Sequence, residues 1–146
     1  MTDTATSTNT TTYTWLRLAT ALLLVGALAW LAKFAAIAVT ESGEGTLPSV
    51  LWVIGFSLML AGSAALAVWL TGRWHVVLQI VSALIGGIVF FVSMNVIDDW
   101  SKSVFGGAGP EYVQEEWGIL LAAILWLCVG LGAGTVYRST QASRAS

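Results

Sequence analysis

Few side chains in this chain can do chemistry, and most of those that can stand alone. Lys33 is the only charged residue well inside a long apolar run, and a charge held in hydrocarbon marks a functional site when partners keep it there. Its expected partners are Asn95 with Asp98 or Asp99, at the matching end of the third apolar run. The opposing reading is snorkelling. Lys33 lies about six residues below the end of its run, a depth from which its stem can carry the ammonium to the interface.

A second candidate is a polar lane on the third run. His75, Gln79, Ser82, Gly86 and Ser93 are offset by 4, 7, 11 and 18 residues, which places them within roughly 60° of arc on one helix. Such a lane suits a polar path or a lipid- or ion-binding groove. It equally suits helix packing, because Ser82 and Gly86 let backbones approach closely. Gly130 and Gly134 give a GxxxG spacing in the fourth run, which serves self-association or packing inside the bundle.

The third candidate is acidic. Glu111, Glu115 and Glu116 precede the fourth run and form an exposed cap able to attract a cation or a basic partner, with a solvated surface as the plain alternative. No EF-hand spacing is present, and a carboxylate pair without a pocket is no acid/base site. The single Cys128 has no intrachain partner, and the lone His75 leaves no histidine pair for haem or metal. Neither a cofactor nor a catalytic constellation is expected, and the chain is read as non-enzymatic.

The elements that position these residues are four apolar runs. Hydrophobic residues make up 57% of the 146-residue chain and charged residues 10%, against about 45–50% and about 25% in soluble domains. The pattern predicts an all-α membrane protein. It is an antiparallel bundle of four transmembrane helices over approximately 15–39, 49–71, 74–104 and 110–138, with disordered tails at 1–14 and 139–146. The first run exceeds the apolar core of a cleavable signal peptide and is read as a retained helix. Pro48 suits a first helical position, Gly72 a C-terminal cap, and Pro110 the start of the fourth helix.

Charge sets the expected orientation. Arg17, Arg73, Arg138 and Arg144 flank one side of a four-pass bundle, while Lys102 and seven acids flank the other. The positive-inside rule then places both termini in the cytoplasm. Ala, Gly and Val richness with Arg favoured over Lys suits a bacterial plasma membrane. A net charge of −2 gives no basic stripe for nucleic acid.

The expected partners are the lipid bilayer and either another membrane protein or a second copy of the chain. The leading functional expectation is a non-catalytic accessory or scaffolding subunit acting through helix packing and an acidic outer cap. The alternative is a small homo-oligomeric transporter or pore, holin-like lesion formers included. No carboxylate lies within an apolar run, so the proton-coupling glutamate of a small four-helix exporter is missing.

Overall fold

The computed structural model describes residues 3–40, 45–72, 75–114 and 116–145, with side chains for 13–40, 45–72, 75–110, 112–114 and 116–143. Five helices follow in order: α1 (Asp3–Thr40), α2 (Thr46–Leu70), α3 (Val76–Phe105), the single turn α4 (Glu111–Gln114) and α5 (Trp117–Ala145). Four stretches, Tyr13–Thr40, Thr46–Leu70, Val76–Phe105 and Tyr112–Ser143, are long and apolar enough to cross a membrane. The 25 residues of α2 alone reach ~37 Å at 1.5 Å per residue, more than the ~30 Å hydrocarbon core. The chain is a multi-pass helical membrane protein.

The ends of the helices follow local chemistry more closely than the apolar runs do. Helix α1 begins at Asp3, ahead of the expected start at Trp15, and α5 reaches Ala145, so helix extends into both expected tails. Helix α2 begins at Thr46, so Pro48 lies within the first turn, where a missing N–H costs nothing. Its C-cap is Thr71 in place of the expected Gly72. The Thr71 hydroxyl donates to the Ala67 carbonyl at 3.0 Å and so covers a carbonyl at the helix end.

The expected single helix over 110–138 is two elements. The Glu116 N–H closes back on the Val113 carbonyl at 2.9 Å, ending one turn, and the Leu120 N–H on the Glu116 carbonyl at 3.1 Å opens the next. Upstream, Gly107 and Gly109 have φ of 86° and 89°, a left-handed conformation that favours glycine, and they turn the chain between α3 and α4.

The four long helices form a ring in which α1 packs on α2 and α5, and α3 packs on α2 and α5. Every seam is antiparallel. A Cβ at Gly26 would meet Met59, one at Gly62 would meet Leu23, and one at Gly130 would meet Leu23 and Leu24. Small residues therefore let α1 approach both neighbours closely, which is how helices gain contact where lipid is as apolar as their own side chains. The centre is filled by Leu23, Ala27, Trp30, Met59, Phe90, Ala122, Ala123 and Trp126. Phe90 stacks obliquely on Trp126 at 5.3 Å and meets Phe56 edge-on at 5.4 Å, linking α2, α3 and α5.

Candidate functional site

The most organised polar site lies at the end of the bundle where α1 finishes and α5 begins. Lys33 is buried on α1, and its ammonium forms an ion pair with the Glu116 carboxylate. The two side chains are only 8% and 13% exposed. Glu116 carries the carbonyl that accepts the first hydrogen bond of α5, so its negative charge also sits at the positive end of that helix.

The residues that follow the pair in sequence, Phe34 and Trp117, are aromatic and pack on each other across the same seam. Trp117 packs on Phe105 at 5.3 Å and on Phe34 at 5.9 Å, and its indole N–H donates to the Ala108 carbonyl at 3.1 Å.

This arrangement corrects the expected partners of Lys33. Asn95, Asp98 and Asp99 are on α3, which lies across the ring from α1, and Lys33 pairs with Glu116 instead. The Asn95 amide instead donates to the Phe91 carbonyl at 2.8 Å. Asp98 accepts from Lys102 at 2.6 Å on its own helix and abuts Gly118 of α5. Asp99 is exposed. Lys33 is paired within the bundle rather than snorkelling to water.

Of the acidic cap, only Glu116 has a described side chain; those of Glu111 and Glu115 lie outside the described residues. The pairing of Glu116 is the feature that sequence reasoning missed. Its signal was available in topology, because in an up-down-up-down ring the first helix neighbours the fourth and not the third.

The lane on α3 divides. Ser82 and Gly86 are buried, and a Cβ at Gly86 would collide with the Ser63 carbonyl and the Ala67 methyl of α2. The Ser82 and Ser93 hydroxyls donate to the Leu78 and Phe90 carbonyls of their own helix, at 2.8 and 2.7 Å. Gln79 is half-buried and His75, the N-cap of α3, is exposed. The lane meets α2 closely at Gly86 and is exposed at its His75 end.

Gly130 is buried against α1, and a Cβ at Gly134 would touch Thr20 at 3.3 Å, so the GxxxG pair faces inward. Cys128 is exposed on α5. Trp126 is buried, and its indole N–H has no hydrogen-bond partner among the described residues.

Between α2 and α3, on the outer surface, runs a groove of about 740 Å³. Small residues give it depth: Ala61 and Ala64 on α2, Ala83 and Gly87 on α3, with Ile80 and Phe91 toward its ends. Helix α3 is the least covered of the four spans, with Leu84, Ile88 and Val92 turned outward.

Compared with protein families, curated proteins and solved structures, the chain matches none. The functional reading therefore stands on these sites alone.

Proposed function

We propose that this chain is a non-catalytic accessory or scaffolding subunit of a membrane complex, seated in a bacterial plasma membrane with both termini cytoplasmic. One observation carries the reading. The interior is filled by large apolar side chains, while α3 leaves an apolar groove against α2 whose floor is built from alanines and a glycine. Small residues at a lipid-facing surface allow another transmembrane helix to approach closely. The ion pair of Lys33 and Glu116 supports a structural role, because it ties α1 to the start of α5 and leaves neither charge open to a path.

The alternative of a small homo-oligomeric transporter or pore has weaker support. The hydroxyls of the α3 lane are engaged by their own helix, and the outward face of α3 is apolar.

The test is purification of a tagged chain from its native membrane into nanodiscs, followed by native mass measurement. A stoichiometric foreign membrane protein is expected. Its loss on Ala61→Phe with Gly87→Leu, which fill the groove, would place the contact there. A chain that purifies as a partner-free homo-oligomer, with ion flux in vesicles, would overturn the accessory reading in favour of the pore.

A further inference from the structure

At the end of the bundle opposite the Lys33–Glu116 pair, α1 and α5 part to leave a cavity of about 440 Å³, within the roughly 300–1,000 Å³ range of ligand sites. Its rim carries two guanidiniums, Arg17 from α1 and Arg138 from α5, with Tyr137 beside them. Both arginines are exposed, and neither pairs with a carboxylate among the described residues.

Below the arginines lie Thr20 and Thr135, whose hydroxyls donate to the Leu16 and Gly132 carbonyls of their own helices, and deeper the wall turns apolar, with Leu24 on one side and Gly130 on the other. The cavity is therefore cationic where it meets the interface and apolar where it descends into hydrocarbon. One class of molecule has that polarity in that order within a bilayer.

We infer that this cavity binds an anionic phospholipid, its phosphate held between Arg17 and Arg138 and one acyl chain laid along Leu24 and Gly130. The planar guanidinium matches phosphate oxygens in paired N–H donation, which favours arginine over lysine at such a site. Basic pockets between transmembrane helices are a recurring way to hold lipid headgroups. The close approach of α1 and α5 at Gly130 sets the floor of the cavity, since a Cβ there would sit 3.0 Å from Leu24 Cδ2. The site is independent of the α2–α3 groove, which lies on another seam.

The experiment uses the full chain, delipidated in mild detergent and titrated with dioleoyl phosphatidylglycerol or dioleoyl phosphatidylcholine, with bound lipid counted by native mass measurement. About fivefold per arginine, and so on the order of 30-fold in all, is the expected preference for the anionic lipid.

Arg17→Gln with Arg138→Gln should abolish that preference, lowering phosphatidylglycerol binding far more than phosphatidylcholine binding because the choline charge already offsets that lipid's phosphate, and the matching lysine pair should retain most of it. Ala21→Phe, which narrows the cavity and leaves both charges in place, should weaken binding of both lipids. Equal binding of the two lipids by the native chain, or an undiminished preference in the glutamine pair with its helical content intact, would overturn the assignment.

Discussion

Lys33 and Glu116 form a buried ion pair across the α1–α5 seam, joining residues from opposite ends of the sequence. Removing one partner strands the other charge in a poorly hydrated setting, which costs about 3–5 kcal/mol, whereas replacing both with apolar residues is often neutral. Lys33→Met and Glu116→Leu should each destabilise the bundle by about that much, and the double variant should recover most of the loss. Unfolding titrations in mixed micelles measure the cycle. Additive losses would show that the two side chains do not act as a pair. Lys102→Ala serves as the control. Its ion pair with Asp98 has side chains 59% and 40% exposed and should contribute no more than about 0.5 kcal/mol.

The two buried tryptophans of the core differ in one hydrogen bond. The Trp30 indole N–H donates to the Trp52 carbonyl at 3.0 Å, tying α1 to α2, while that of Trp126 has no partner among the described residues. Trp30→Phe should therefore cost about 1 kcal/mol more than Trp126→Phe, whose loss of packing is offset by removal of a buried donor. The same unfolding assay reads the difference. Equal losses would mean that the Trp30 bond contributes nothing net.

Much of this architecture was legible in the sequence because apolar runs of membrane-spanning length admit few alternatives to helices. That Ser82 and Gly86 share a helix face was also readable, since they are four apart, and both are buried. The partner of Lys33 follows from the order of helices around the ring, where the first neighbours the fourth, and not from spacing along one helix. Asp98 looked suitable by depth, but the ring order puts α3 across the diagonal and gives Asp98 to Lys102 instead. The Arg17–Arg138 cavity was hidden for the same reason. Each arginine alone is an ordinary interfacial charge, and only the α1–α5 seam brings them to one rim.

Orientation can be read directly from labelling. With Cys128 replaced by Ala, single cysteines at Ser103 and Ser143 occupy opposite ends of the bundle, near the close of α3 and of α5. In intact cells an impermeant thiol reagent should label Ser103→Cys and spare Ser143→Cys until the membrane is opened. The expected contrast follows from the arginines on the side of the termini. Reversed labelling would place the Lys33–Glu116 pair at the cytoplasmic end and move Arg17 and Arg138 to the other leaflet.

Glycine serves two different purposes in this bundle, and alanine scanning separates them. A Cβ at Gly55 would run into the Trp30 indole and approach the Gly26 carbonyl, so Gly55→Ala must push apart the α1–α2 seam and disturb the Trp30 bond. Overpacking of this kind costs about 1–3 kcal/mol. Gly132, by contrast, faces open space on α5, where an added methyl would have no neighbour within 4 Å. There alanine only removes backbone freedom from the unfolded chain, a gain of roughly 0.5–1 kcal/mol. Opposite signs for Gly55→Ala and Gly132→Ala in one unfolding assay would show that Gly55 sits at a close contact of the α1–α2 seam and that Gly132 does not sit at one. Loss of stability at Gly132 would instead mean that a second molecule covers that face of α5 in the membrane.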